Sequence, residues 1–463
     1  MTDQVRARHP WALATLGAVI AAGLGLMMPA AVRAATFQEA LAAAYNTNPL
    51  ILSARARLRQ VDETVPQALS NWRPRVTIPA STVGRENFTT RTTVGSETST
   101  VRSSQALSVD PTVTQPLYRG GRTVAATSSA ENGVLAERAR LVATEQQVLL
   151  SAATSYVDVL RDEATVELNI ANERRLLRQL ERAQDGYRVG ELSNTDVAQA
   201  EARRAQAIAA RIASEGQLAT SRAIYRRLVG TSPAALTNPE RPGNLPPSRE
   251  DAEAQAAKNN PNVIAAQYAE TGARDDVRVV GGEFLPEVNL TADISRIDSS
   301  LTSRSGGLRT DTRSIIADAT MPLYQAGKVA SRHRAAKQTV DQRHAEVEDA
   351  RRAAVESSVR AFEQYKAAQA LFESFTEAIP AAEIALEGVE QEAVLGFRST
   401  LDVLDAEHEL LIAKVNQIQA TRDEFVATFQ LLAAMGRFTA RELGLVVELY
   451  DPEANYKIVR DKW

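Results

Sequence analysis

Gln115-Pro116-Leu117-Tyr118-Arg119-Gly120-Gly121-Arg122 returns as Met321-Pro322-Leu323-Tyr324-Gln325-Ala326-Gly327-Lys328, 206 residues further on. Two more landmarks keep that spacing. Val189-Gly190-Glu191-Leu192-Ser193-Asn194-Thr195-Asp196-Val197 recurs as Leu395-Gly396-Phe397-Arg398-Ser399-Thr400-Leu401-Asp402-Val403, and Leu228-Val229-Gly230 as Ala434-Met435-Gly436. Upstream, Asn48-Pro49 corresponds to Asn260-Pro261 and Trp72-Arg73-Pro74 to Phe284-Leu285-Pro286, at a spacing of 212 residues. The six-residue difference falls between the anchor prolines, Pro74 and Pro116 in the first copy, where a loop tip tolerates insertion. Chance does not keep one spacing over such a length, so the chain reads as two tandem copies of one plan.

Each copy has the same order of parts. The first repeat covers 35–230: a short helix over about 36–72, a β-hairpin at about 75–117, a long helix at about 122–187 and a return helix at about 193–230. The second covers 250–436, with a short helix over about 250–284, a hairpin at about 287–323, a long helix at about 328–393 and a return helix at about 399–435. Segments 231–249 and 437–463 lie between and after the repeats.

The long helices carry seven-residue apolar spacing. Val134, Leu141 and Val148 form one row, Leu135, Val142, Leu149 and Tyr156 the next, and Val340, Val347, Ala354 and Ala361 repeat the first row in the second copy. Such a seam must face another helix. A helix of ~66 residues runs roughly 100 Å, too long for a compact domain and suited to a tube or rod. It needs a partner of equal length, which 36–72 and 193–230 supply if stacked end to end.

The hairpin stretches alternate. Val288, Leu290, Ala292 and Ile294 oppose Glu287, Asn289, Thr291, Asp293 and Ser295; Ile315, Ala317 and Ala319 oppose Ser314, Asp318 and Thr320; Leu107, Val109 and Val113 oppose Ser108, Asp110, Thr112 and Thr114. Period-two alternation of apolar residues with Ser, Thr and Asp is the pattern of transmembrane barrel strands. Pro79 and Pro111 would interrupt the ladders. Four strands cannot close a barrel and an open edge is not tolerated in lipid, so several chains must contribute to one barrel, as a dimer or a trimer.

Composition narrows the function. The 463 residues are 44% hydrophobic but only 5% aromatic, and much of the apolar share is alanine. Charged residues make up 24% with a formal net charge of -4, which offers no concentrated basic face for nucleic acid. The sequence contains no cysteine, which excludes disulfides, thiol catalysis and thiolate metal sites. Residues 1–34 read as a secretory signal: Arg6, Arg8 and His9 begin it, an apolar run from Trp11 to Met28 follows, and Val32 and Ala34 occupy the small-residue positions before cleavage. The histidines have no metal-ligand spacing and Gly120-Gly121 lacks the lysine and hydroxyl of a phosphate loop, so neither a metal nor another cofactor is expected.

With the two proline–leucine–tyrosine turns, Gly186-Tyr187-Arg188-Val189-Gly190 and the run Leu395–Asp405 in place, the chain resembles the TolC family of outer-membrane efflux and type I secretion channels over about Thr36 to Gly436. The resemblance implies a mainly α fold with a small β part: long coiled-coil helices forming an α-barrel tunnel in the periplasm, and four strands per chain in a trimeric twelve-stranded outer-membrane β-barrel. It also implies an equatorial band from 231–249 and the C-terminal tail. The partners expected are two further copies (a homotrimer), a periplasmic adaptor, an inner-membrane transporter and outer-membrane lipid. Such a chain is a passive duct and not an enzyme.

Asp402 and Asp405 are three apart on one helix face. A threefold axis would gather them into a carboxylate ring that binds cations and raises some carboxyl pKa values, and the family's pore-constricting aspartates match these positions. Asp196 matches Asp402, but Gln199 stands where Asp405 would recur. Arg398 matches the arginine that holds the family's periplasmic end shut, with partners matching Thr195 and Asp196; Gly190 and Gly396 make the helix-tip turns. The family's closing tyrosine falls on Ala393. Two other readings compete: a periplasmic coiled-coil tether, which needs no amphipathic strands, and a secreted hydrolase, for which no nucleophile–base or metal constellation exists.

Overall fold

The computed structural model describes residues 36–241, 243, 245–301 and 307–462; the expected signal segment 1–34 lies outside them. In chain order the helices and strands are α1 (Phe37–Thr47), α2 (Pro49–Asp62), α3 (Thr64–Leu69), β1 (Arg75–Thr77), β2 (Ala80–Thr93), β3 (Ser96–Val109), β4 (Thr112–Arg119), α4 (Arg122–Val189), α5 (Asn194–Val229), α6 (Arg249–Asn259), α7 (Pro261–Gly281), β5 (Glu287–Leu301), β6 (Gly307–Thr320), α8 (Lys328–Val394), α9 (Thr400–Ala434) and α10 (Ala454–Val459). The chain is mainly helical with a small sheet, as its sequence implies.

The stretches expected as single short helices are each divided, at Asn48-Pro49 and at Asn260-Pro261. Proline removes an N–H and pushes the preceding residue out of the helical region; Asn48 and Asn260 both sit at ψ 125. Each asparagine then does two things. Its Oδ1 accepts from the backbone N–H two residues on, at 2.9 Å in the first copy and 3.0 Å in the second. Its Nδ2 donates to the carboxyl end of the return helix, Asn48 to Leu228 O at 2.9 Å and Asn260 to Ala434 O at 3.2 Å. The break is thus the joint at which the short helix stacks on the return helix.

The two long helices are the spine. α4 has 68 residues and α8 has 67, roughly 100 Å each. One half of α4 packs on α2 and α7, as in Ser128 and Asn132 to Asp275 and the Arg57–Glu137 ion pair. The other half packs on α5, through Arg211–Glu173 and Arg222–Glu163. Val134, Leu141, Val148, Leu149 and Tyr156 from the heptad rows are buried, as are Val347, Ala354 and Ala361. The largest apolar cluster lies midway along the spine. There Phe37 stacks on Phe429 at 5.1 Å and meets Tyr156 edge-on at 5.4 Å, and Phe438 closes on Phe429 at 5.5 Å. Tyr156 Oη donates to Thr237 O at 2.7 Å and accepts from Thr237 N at 3.0 Å, which fastens the inter-repeat segment to this girdle.

The six strand segments make four physical strands. β1 and β2 are one strand broken at Ile78-Pro79; β3 and β4 are another broken at Asp110-Pro111. The interruptions face each other, and Asp110 N still donates to Pro79 O at 2.9 Å. The first hairpin joins the second through β5, which pairs with both β3 and β4 on one side and with β6 on the other, all antiparallel.

Gly436 has φ +79, and a Cβ there would collide with the Asn259 carbonyl, whereas Gly396 at φ +80 has open space around it. Gly436→Ala should therefore cost about 3 kcal/mol, left-handed strain plus the collision, and Gly396→Ala about 1 kcal/mol. Denaturation midpoints of the detergent-solubilised variants will show the difference.

Candidate functional site at the helix tips

The residues that the sequence singles out lie on two surfaces, the sheet and the far tips of the helix pairs. Cross-strand partners share a face, and the register runs Val76↔Val113↔Ala292↔Ile315 across all four strands. Leu290, Ile294, Ala317 and Leu107 extend that face. Over these rungs it is largely apolar and uncovered, with Val76 64% exposed, Ile294 53% and Ile315 78%; towards the hairpin ends the same face carries Arg313 opposite Ile294 and the ion pairs Arg296–Asp311 and Arg309–Asp298. The opposite face is polar, with Ser81 Oγ and Ser108 Oγ 2.8 Å apart, Ser314 donating to Asp293 Oδ1 at 2.5 Å and Ser295 to Asp110. Among the described residues the outer edges of β1/β2 and of β6 have no strand partner. No described helix is long and apolar enough to cross a membrane.

At the other end, α4 stops at Gly190 (φ 84) and α5 begins at once. Ser193 Oγ accepts from Asp196 N at 3.3 Å, and Asp196 Oδ2 accepts from Ser193 N at 2.9 Å and from Ser193 Oγ at 2.7 Å. The second copy repeats this capping box: Ser399 Oγ accepts from Asp402 N at 3.3 Å, and Asp402 Oδ2 accepts from Ser399 N and Oγ, each at 2.9 Å. A reciprocal cap of this kind satisfies two orphan donors at a helix start and contributes about 1 kcal/mol. Its signal, Ser-x-x-Asp before a helix, is present in both copies of the sequence.

The caps change the electrostatics. The Ser399 backbone N–H, then its hydroxyl, hold the Asp402 carboxyl below its ordinary range, with Arg398 adding a smaller push. The Ser193 hydroxyl and N–H do the same to Asp196. Within one protomer Asp402 is therefore lowered, opposite to the rise that crowded like charges would give. The expected Arg398–Asp196 bond is also missing within the protomer, because both ends are engaged locally: Arg398 Nε reaches back over the Gly396 turn to Glu392 Oε2 at 2.8 Å, and Asp196 serves its cap. Thr195 is exposed beside it.

Asp405 turns away from Asp402 to a different helix. Arg203 Nη2 of α5 donates to Asp405 Oδ1 at 2.6 Å. Leu404 and Glu407, close to it on α9, are buried. Leu404 packs with Leu176 of α4 and Ala207 of α5, and Glu407 is 7% exposed with no hydrogen-bond partner at Oε2. Burial raises the Glu407 pKa; Arg175 counters it, Glu390 adds to it, and Arg182 and Arg178 oppose it more weakly. Arg203 and Glu407 escaped the sequence reading, since their neighbours lie in the other repeat.

The profile of the family described as outer membrane efflux protein matches residues 40–231 and again 254–437, once for each copy. The chain belongs to this family. It is 34% identical to the outer membrane efflux protein BepC of Brucella suis, over 92% of this chain and 91% of that one. It is 26% identical to the outer membrane protein TolC of Vibrio cholerae, over 88% of this chain and 93% of that one. The solved CmeC outer membrane channel of Campylobacter jejuni superposes with a TM-score of 0.75 at 14% identity, covering 92% of this chain and 89% of that one, a likeness of fold. The protein is an outer-membrane channel with a periplasmic helical tunnel.

Because burial raises the Glu407 pKa, the folded state takes up a proton there before the unfolded chain does. Glu407 costs stability above its folded pKa, and the cost fades as pH falls to the ordinary carboxyl range. Glu407→Gln should thus raise the denaturation midpoint at pH 7, with the gain disappearing near pH 4.5, the ordinary glutamate value. Equal midpoints for both proteins at pH 7 would remove the assignment.

Proposed function

We propose that three copies complete one twelve-stranded barrel and one tunnel, and that the assembly is a passive exit duct for efflux or type I secretion. The observation that carries this is the four-stranded sheet with an uncovered apolar face and two unpaired edges. In lipid each edge must find a strand, and pairing the β6 edge of one copy with the β2 edge of the next satisfies both. Two copies would give eight strands, a barrel filled by its own side chains; three leave room for water. The Ser-, Thr- and Asp-lined inner face suits a wet lumen.

The far end supports a docked partner. Val394 is 87% exposed, Leu395 70% and Phe397 79%, all at the second tip. An adaptor in the periplasm would engage this apolar tip and couple the duct to an inner-membrane transporter, which supplies energy the chain has no nucleotide-binding motif to provide. On assembly Asp402 and Asp405 stand near the tip as the cation-selecting constriction, with Arg398, Thr195 and Asp196 as its surrounding gate residues.

Mass measurement of the detergent-extracted protein should give a trimer; a stable lone subunit would overturn the reading. In planar bilayers Asp402→Asn with Asp405→Asn should weaken block by multivalent cations about tenfold or more, since several carboxylates are lost from one ring. Unchanged block would place the constriction elsewhere.

A further inference from the structure

The hydroxyl-rich face of the sheet changes sign along its length. Near the helices its charges are mixed and engaged: Arg119 meets Glu287 at 3.5 Å, and Ser314 and Ser295 donate to Asp293 and Asp110. Beyond the Pro79 and Pro111 level, towards the hairpin ends, the residues of β2 on this face begin with Ser81 and come to Arg85 and then Arg91. Alternate residues of a strand share a face, so Glu86, opposite Ser103, and Glu97, opposite Thr92, lie on the other side. Among the described residues the hydroxyl-rich face carries no carboxylate beyond Asp110 and Asp293.

The two guanidiniums are unengaged. β2 is exposed along its whole length. Ser104 and Thr98 stand across from Arg85 and Arg91 on β3, and neither guanidinium has a hydrogen-bond or ion-pair partner among the described residues. Six residues separate Pro79 from Arg85, roughly 20 Å of strand. That is more than twice the Debye length of about 8 Å at physiological salt, so the acidic level leaves Arg85 largely unneutralised. Arg91 lies six residues further on, where β3 has no described β5 partner.

We propose that Arg85 and Arg91 of three copies form a binding site for multivalent oxyanions, of the polyphosphate class, at the outer end of the duct. Closing the barrel with the hydroxyl-rich face inward turns each of these arginines towards the axis. Three Arg85 then ring the lumen and three Arg91 crown its mouth. A guanidinium is always charged and its planar fork matches phosphate oxygens. One exposed arginine holds an anion weakly, but a ring of them around a pore is a means of taking up anions. The duct then has ends of opposite sign, carboxylates near the periplasmic tip and guanidiniums at the mouth.

The inference rests on the duct reading, and planar-bilayer recording of the full-length trimer with inorganic tripolyphosphate separates the two. Protein added to one chamber inserts barrel first, because the long tunnel cannot cross the bilayer, so the mouth faces the other chamber. Wild-type protein giving no channels would sink the duct and this site with it; channels that tripolyphosphate in the mouth chamber does not block would sink the site alone. Arg85→Gln with Arg91→Gln should raise the half-blocking concentration at least about tenfold, as charge-assisted bonds are lost. Arg85→Lys with Arg91→Lys should raise it less, since the charge stays and only the fork is lost. Block by multivalent cations from the tip chamber should not change in either. Equal half-blocking concentrations for wild type and the double glutamine variant would overturn the proposal, as would block from the tip chamber only. Arg91→Gln alone, on the projecting part of the hairpin, should already weaken the block. It decides the matter if the double variant does not assemble, unchanged block again counting against the site.

Discussion

A backbone amide in lipid must have a hydrogen-bond partner, and among the described residues two strand edges lack one. Everything else in the molecule is consistent with that debt being settled by neighbouring copies. The sheet is apolar on one face and hydroxyl-rich on the other, so its orientation in a closed wall is fixed before closure. The prolines at 79 and 111 interrupt two of the strands at one level, and the bond from Asp110 N to Pro79 O bridges the interruption. The strands then pass directly into the long helices of the tunnel.

The duplication supplies a second constraint. Each copy solves the same local problems with the same residues. Asparagine before proline joins the short helix to the return helix, glycine in the left-handed region turns the tip, and a serine–aspartate box starts the return helix. Where the copies part company, their contacts differ. Arg203 and Asp405 have no charged pair as their counterpart, and Pro380 within α8 corresponds to Arg174 in α4.

The fold class was legible because it rests on periodicity. Seven-residue rows announce a long helix seam, and two-residue alternation announces a half-lipid strand. The joints at Asn48 and Asn260 were harder: the proline was visible, but its meeting with Leu228 or Ala434 depends on a contact roughly 180 residues distant. At the tip the positions of Gly190, Gly396, Asp402 and Asp405 could be read from the repeat. What each carboxylate does could not. Asp196 and Asp402 serve the capping boxes that start the return helices, and Asp405 binds a guanidinium from the other repeat.

From its amino acids alone this chain determined that it is two copies of one unit, that its helices are too long for a globule, and that its strands have one face for lipid. Those properties are local: they follow from residue spacing along a helix or strand and from the conformational limits of proline and glycine. Only the tertiary structure decided which charges meet. Arg203 found Asp405 because ion pairing depends on distances of a few ångströms, here between segments 202 residues apart in the chain, and spacing in sequence carries no record of those distances.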